Sequence, residues 1–490
     1  MLNREITPRK KDYAQWYLDI IKRAELAETS PVRGAMVIKP YGYAIWENIQ
    51  KELDRRIKER GVQNAYFPLF IPKSFLSKEA DHVKGFAKEC AIVTHYRLRE
   101  TKDGQGVEVD PEAKLEEELI VRPTSETIMY DAFSRWIESW RDLPLKINQW
   151  ANIVRWERRT RPFLRTSEFL WQEGHTVHET HGEAMEEVLD AVEMYQRFAR
   201  EILALETLTG KKSELEKFAG AVDTYGVEAM MQDGKSLQFG TSHDLGQNFA
   251  KVFNIQFTNR DGKLGYPWQT SWGVSTRMMG ALVMSHSDDN GLIVPPKIAP
   301  IKVVIVPIYK DENKNEVLEY SRDVYGNLLE GVKSIEFDDR EFVSPGYKFN
   351  EWEKKGVPVR IEIGPEDIQN KQVVVVRRDT LEKDKISISK VNAYVQNLLD
   401  EIQENLLSRS KQLLISNTYS VGNYKEFKES FLSRRGFIRA CWCGSSECEE
   451  KIKEETKATT RCQTSEGLKH LGNCISCGKP GSEWVFGISY

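Results

Sequence analysis

Residues 145–177 read LKINQWANIVRWERRTRPFLRTSEFLWQEGHTV, and the fold turns on this stretch. Leu145 to Trp156 and Phe169 to His175 are aromatic-rich runs of strand character. In and after the first, Arg155, Arg158, Arg159, Arg161 and Arg165 fall within 11 residues. An arginine projecting from a sheet strand stays charged at any working pH. It can grip a phosphate or carboxylate through two parallel hydrogen bonds. The plainer reading is a solvated hairpin with one buried ion pair. Arg277 has a similar setting, after Ser271-Trp-Gly-Val-Ser-Thr276 and at the head of an apolar helix.

Outward from this hairpin, residues 41–60 place Ile45, Ile49, Leu53 and Ile57 at four-residue spacing and stop at Gly61, which predicts a helix. An apolar strand, Ala65 to Ile71, follows and is interrupted by Pro68. Residues 183–206 predict a second helix, with Met185, Val188, Val192, Tyr195, Ala199 and Ile202 on one face. Tyr266 to Gly273 reads as a further aromatic strand. Near residue 297 the stretch PPKIAP reads as a linker. Beyond it a buried strand begins at Lys302. Helices are expected at about 312–330, 347–356 and 390–408, and strands at 358–363 and 372–377. Strands alternating with helices imply a small α/β domain. The expected division is 1–296, 297–408 and 409–490, the last piece basic and cysteine-rich.

A length of 490 residues, 40% hydrophobic and 29% charged, suits about three soluble domains and excludes collagen, mucin and wholesale disorder. No run of 18 residues is free of charge and proline, so no membrane-spanning helix and no membrane partner are expected. The stretch MLNREITPRKKDY has charges but no apolar core behind them, unlike a secretory signal, and a cytoplasmic setting is expected. The net charge of −4 argues against whole-molecule attraction to nucleic acid but not against local patches. Between residues 409 and 440 seven Lys or Arg stand against two Glu.

Six of the seven cysteines lie in the last 50 residues. Cys443-x4-Cys448 and Cys474-x2-Cys477 form two close pairs, and four thiolates from two short loops can close a tetrahedral zinc shell. Cys441 and Cys462 leave six candidates for four places. A closed four-cysteine shell is structural, with no position open to a substrate. Other motifs fail. Ala229 to Ser236 ends in Gly-Lys-Ser but has Ala where a phosphate loop needs its first Gly. His178-Glu-Thr-His181 is one residue too short for a zinc-protease pair, and no Gly-rich dinucleotide fingerprint follows a strand.

Three segments together resemble the class II aminoacyl-tRNA synthetases. Gly61-Val-Gln-Asn-Ala-Tyr-Phe-Pro68, after a long helix, resembles motif 1, the dimer-interface motif. Arg155-Trp-Glu157, a loop, and Phe169-Leu-Trp-Gln-Glu-Gly-His175 resemble motif 2, two antiparallel strands around an ATP-binding loop. Gly273 through Arg277 and the following helix resemble motif 3. Pro123-Thr-Ser-Glu126, Trp171 to His175, Gly240-Thr-Ser-His243 and Ser271-Trp-Gly273 are similar to the prolyl-tRNA synthetase family in its archaeal and eukaryotic form. Ser344-Pro-Gly346, Arg360 to Pro365, the four-cysteine pattern and Tyr490 extend the likeness along the chain.

The resemblance implies a multi-domain α/β fold. It would comprise an antiparallel-sheet catalytic domain, an α/β anticodon-binding domain and a small C-terminal zinc-binding α+β domain. It implies a homodimer through motif 1, with ATP, L-proline and tRNA(Pro) as substrates, Mg2+ as a cofactor and structural Zn2+ on Cys443, Cys448, Cys474 and Cys477. Arg155 and Arg277 would be catalytic, Arg155 holding the α-phosphate and the amino-acid carboxylate and Arg277 covering adenine or the γ-phosphate. Arg165 and Thr166 would hold ATP phosphates and adenine, and Phe169 would stack on adenine. Glu157, Gln238, Thr241 and Ser275 would add ATP contacts. Thr124, Glu126 and His243 would bind proline, and Trp171, Glu173, His175, Ser271 and Gly273 would shape its pocket.

The residue types agree with adenylation. A carboxylate attacks the α-phosphorus and pyrophosphate leaves. Alignment and positive charge, from two arginines and Mg2+, serve better than a protein nucleophile. Proline, a cyclic secondary ammonium, needs a carboxylate such as Glu126 and aromatic walls such as Trp171 and Phe169. The 63 residues from His175 to Gln238 are too few for a helix and a full editing domain. Some activation of alanine or cysteine is therefore expected, because lost apolar contact alone rejects smaller amino acids weakly. The sister threonine enzyme would need a zinc site in the amino-acid pocket, which the sequence does not offer. A synthetase-like RNA binder without activity is the rival from another class.

Overall fold

The computed structural model describes residues 6–77 and 89–490. The first five residues of the N-terminal reading lie outside these. The first long helix, α1 (Pro40–Lys58), starts on Pro40, whose missing N–H costs nothing in the first turn. All four periodic residues, Ile45, Ile49, Leu53 and Ile57, are buried. Gly61 follows at φ 75°, a left-handed conformation that suits glycine at a helix end. The expected strand over 65–71 is instead broken. β1 is only Gln63–Asn64, and a separate short strand, Phe70–Pro72, pairs outside the main sheet. Pro68 lacks the N–H that a continuous ladder needs.

The main sheet is built from β1, β2 (Leu145–Val154), β3 (Glu168–His178), β4 (Thr207–Lys211), β5 (Asp223–Met230), β6 (Ser236–Gly246) and β7 (Trp268–Ser275). Their order is β4-β5-β6-β7-β3-β2-β1, antiparallel except where β1 joins β2. Helix α2 (Glu126–Trp136) precedes β2. Helix α3 (His181–Glu201) opens on a capping box between Thr180 and Glu183 and buries Val188, Val192, Tyr195 and Ala199. Its Tyr195 hydroxyl donates to Gln172 Oε1 of β3 at 2.6 Å. Between His175 and Gln238 the chain is occupied by α3, β4, one loop and β5, all parts of this sheet layer. Helix α4 (Arg277–His286) follows β7 directly.

The second unit is a five-stranded mixed sheet of β8 (Val303–Pro307), β9 (Ile335–Phe337), β10 (Val359–Ile363), β11 (Gln372–Arg377) and β12 (Lys383–Ser387), ordered β9-β8-β10-β11-β12. Helices α5 (Lys314–Leu329), α6 (Pro345–Lys355) and α7 (Val391–Ser416) pack on it. α7 runs on past residue 408, one helix carrying the chain into the third unit. There β13 (Thr418–Ser420), helix α8 (Tyr424–Ser433), β14 (Phe437–Trp442), helix α9 (Ser446–Thr456), β15 (Thr459–Cys462), β16 (Leu471–Asn473) and β17 (Pro480–Gly487) form a second five-stranded sheet with its own core.

The units interlock. Asp288, just past α4, takes two hydrogen bonds from the buried Arg378 guanidinium of the second unit, at 2.7 and 2.8 Å. Gln463 of the third unit exchanges backbone hydrogen bonds with Lys211 at the end of β4, and Ile488 accepts from Ser236 N. No helix among the described residues is long and apolar enough to cross a membrane.

Candidate active site

Side chains on a strand alternate between faces, so antiparallel register decides which residues meet. Trp171, Glu173 and His175 are alternate residues on β3. Opposite them on β7 stand Ser275, Gly273 and Ser271, and β6 places Thr241 against Gly273 and His243 against Ser271. The expected substrate residues therefore form rows across one face of the sheet. Its other face is closed tightly at Gly174, where a Cβ would lie 2.3 Å from the Trp272 indole. The rows floor a cavity of about 400 Å³. Thr124, Glu126, Arg155, Phe169, Gln238 and Arg277 line its sides with them. Glu157, Arg165 and Thr166 lie outside the lining, on the loop between β2 and β3. There Arg165 pairs with Glu157 at 3.8 Å, and Thr166 Oγ1 donates to Glu168 O at 2.6 Å.

Arg155 Nε donates to Pro123 O at 2.8 Å, and its guanidinium sits 5.6 and 5.5 Å from the Phe169 and Trp171 ring centres. Burial pulls its pKa down to about 10, with Glu126 opposing and Arg277 assisting, so the cation persists at neutral pH. Arg277 Nε donates to Leu164 O at 3.2 Å, reaching the same loop. Burial and the nearby Arg165 both push its pKa down. Two cations thus face one cavity with the carboxylates of Glu126 and Glu173.

Glu126 opens α2 and is buried; Thr124 Oγ1 donates to its Oε2. Glu173 Oε1 accepts from Ser125 Oγ at 2.6 Å and Gln149 Nε2 at 2.8 Å, and its Oε2 faces His175 Nε2 at 3.1 Å. His175 Nδ1 lies 3.0 Å from the Tyr130 hydroxyl. These bonds fix Glu173 and leave it a supporting group. His243 Nδ1 lies 2.9 Å from Thr224 Oγ1, and its ring packs on Phe218 at 4.5 Å. Burial drops its pKa to about 3, so the ring is neutral. Trp171 Nε1 and Ser271 Oγ are buried without a hydrogen-bond partner among the described residues.

Sequence reasoning missed one wall of the cavity, Glu216 to Ala219, together with Thr224 and Phe239. The wall belongs to the loop between β4 and β5, which has no periodicity. The small-residue run Ala219-Gly-Ala221 was the only local hint of a close approach.

The four cysteines Cys443, Cys448, Cys474 and Cys477 converge, with all sulfurs within 4.8 Å of one another. Sγ of Cys443 is 3.8 Å from that of Cys448 and 3.6 Å from that of Cys477. A tetrahedron with Zn–S bonds of about 2.3 Å has edges of about 3.8 Å, so the set fits zinc. Cys462 is buried elsewhere in the core, and Cys441 Sγ packs near Gly472. The histidines near β3 gather no metal set; His178 meets Thr176 and His181 meets Asp244. In the basic segment, Lys428 pairs with Glu455, Arg435 with Asp233 and Arg439 with Glu483, so much of its charge is spent internally.

The sheet thus carries two arginines over one carboxylate-lined cavity, and the comparisons place that arrangement among the class II aminoacyl-tRNA synthetases. Residues 108–286 match the tRNA synthetase class II core domain of the Gly, His, Pro, Ser and Thr enzymes. Residues 302–398 match an anticodon binding domain, and 424–490 the prolyl-tRNA synthetase C-terminal domain. The chain is 55% identical to a proline–tRNA ligase of Bacteroides fragilis across 99% of both chains. It is 56% identical to that of Porphyromonas gingivalis across 98% of each, and 53% to that of Amoebophilus asiaticus across 100% of each. The chain belongs to the proline–tRNA ligase family.

Proposed function

We propose that this chain joins L-proline to ATP as prolyl-adenylate, releasing pyrophosphate, and then transfers the prolyl group to the 3′ end of tRNA(Pro). The observation that carries this is that Arg155 and Arg277 line one cavity with the carboxylate of Glu126 and the neutral His243. The charges of ATP and proline demand that arrangement. The ammonium of proline goes to Glu126, with Thr124 holding that carboxylate. Its ring goes between Trp171 and the neutral His243–Phe218 pair, where a charged imidazole would be a poor wall. Glu173, His175, Ser271 and Gly273 shape the floor.

Arg155 holds the proline carboxylate against the α-phosphate, which turns an encounter of two anions into an aligned displacement. Arg277 spreads positive charge over adenine or the γ-phosphate as pyrophosphate departs. Phe169 takes the adenine face, and Gln238, Thr241, Ser275, Glu157, Arg165 and Thr166 complete the nucleotide contacts as the loop closes. Mg2+ supplies further charge neutralisation on the phosphates. The four thiols hold Zn2+ as a structural ion. The chain works in the cytoplasm as a homodimer through the segment after α1. In that segment Tyr66 is 72% exposed, an aromatic side chain suited to a contact with a second copy. In this reading 1–296 is the catalytic unit, 297–408 the anticodon-binding unit and 409–490 the zinc-binding unit, with α7 crossing the second boundary.

ATP–pyrophosphate exchange with each amino acid in turn tests the reading. Proline gives the strongest exchange, and Arg155→Lys, which loses the planar fork, lowers kcat about 10²- to 10³-fold. Exchange driven best by another amino acid overturns the pocket assignment. Exchange with none, from a folded dimer, returns the chain to the RNA-binding reading.

A further inference from the structure

The cavity wall formed by Glu216 to Ala219 belongs to the catalytic unit, but one of its anchors comes from the third unit. Arg461, on β15 of the third unit, donates from Nη2 to Glu216 Oε2 at 3.0 Å. The same guanidinium reaches Glu228 of β5 at 3.9 Å, and Glu228 also takes the buried Lys212 ammonium. Arg461 is only 3% exposed. Beside it, Ser213 Oγ donates to Glu449 Oε1 at 3.0 Å, and Thr460 Oγ1 donates to Ser213 Oγ at 2.9 Å. Ser213, Glu449 and Thr460 are all buried. Gly210 admits Gln463 so closely that a Cβ there would lie 2.2 Å from its carbonyl oxygen. The loop is therefore clamped at its root and on Glu216 by residues that come more than 200 positions later in the chain.

From that clamp the wall hangs by short links. Glu216 N and Lys217 N donate to Ser213 O at 3.2 and 2.9 Å, forming one turn. Phe218 N donates to Thr224 Oγ1 at 3.0 Å, and the same hydroxyl holds His243. Phe218 then stacks on the His243 ring, and this pair closes the ring-binding end of the cavity.

We infer that Arg461 is a positioning residue for amino-acid recognition. Its ion pair with Glu216 sets the height of the Phe218–His243 wall, and through it the cysteine-bearing unit sets the affinity for proline. Arg461 touches no substrate. The inference rests on the proline reading above and adds to it the residue that holds the pocket closed.

The test uses the full chain and its Arg461→Met, Arg461→Lys and Glu216→Gln variants with the Arg461→Met/Glu216→Gln double variant. Steady-state pyrophosphate exchange is measured against proline and against ATP, alongside thermal unfolding. Loss of one buried charge-assisted pair raises the KM for proline about tenfold in Arg461→Met and Glu216→Gln. The KM for ATP and kcat stay within about twofold, and Arg461→Lys recovers part of the loss. The double variant is no worse than the singles, because both remove the same link. An unchanged KM for proline, a fall in kcat alone, or additive effects in the double variant overturn the inference. A lowered melting temperature with unaltered KM reduces Arg461 to a structural role and overturns it too. Lack of proline-dependent exchange in the unaltered chain overturns the proline reading itself. Robust exchange there with silent variants sinks the positioning role alone.

Discussion

His178, His243 and His286 are buried, and burial holds their pKa values at about 4, 3 and 4, below the ordinary 6.5. Below pH 6.5 the unfolded chain takes up protons at these positions that the folded chain refuses. Their contribution to stability is therefore complete above about pH 6.5 and is lost progressively as pH falls towards 4 and 3. The melting temperature is expected to drop across that window, and His178→Gln to make the drop shallower; an identical slope in the variant would exclude this origin. At single residues the sequence marked Arg155 and Arg277 as fixed cations on or after aromatic strands, a pattern a solvated hairpin also explains, and their roles came from the family resemblance; the structure places both on one cavity. Glu173 did not reveal its supporting role, because the bonds that pin it come from Ser125 and Gln149, far apart in sequence.

At the scale of elements, periodicity did well wherever one face is buried. α1 and α3 follow the apolar spacing of their residues because α3 packs that face on the sheet and α1 buries its face in the same core. The strand expected over 65–71 failed because an apolar run says nothing about whether its N–H groups have partners, and Pro68 has none to give. The Glu216–Ala219 wall was invisible for another reason: its partners, Thr224 within the catalytic unit and Arg461 in the third, are not readable from its own composition. The cysteine unit permits an element-scale prediction. Cys443 follows β14, Cys448 lies in α9, and Cys474 and Cys477 follow β16, so an ion held by the four would tie three elements. Cys477→Ser is expected to lower bound zinc from about one per chain. It should also speed amide exchange in β14 and β16 while leaving β8 to β12 unchanged. Full zinc occupancy in that variant, or uniform exchange throughout, would refute it.

For the whole molecule, the segment between β3 and β6 is filled by sheet and helix, so discrimination within the chain is expected to rest on the pocket. Alanine lacks most of the proline ring but keeps its ammonium and carboxylate. Loss of one or two methylenes is worth only about 1–3 kcal/mol of discrimination. Measurable exchange with alanine or cysteine is expected, well below that with proline. Deacylation of alanyl-tRNA by the purified chain would contradict it. Sedimentation should give twice 56.6 kDa, with Tyr66→Glu shifting the population towards monomer.

Glu216 and Arg461 are 245 residues apart, so the pocket's closing wall is synthesised long before the residue that secures it. On the positioning reading, a chain cut short before Arg461 is expected to carry both arginines and most of the cavity yet to hold proline more weakly than the full chain.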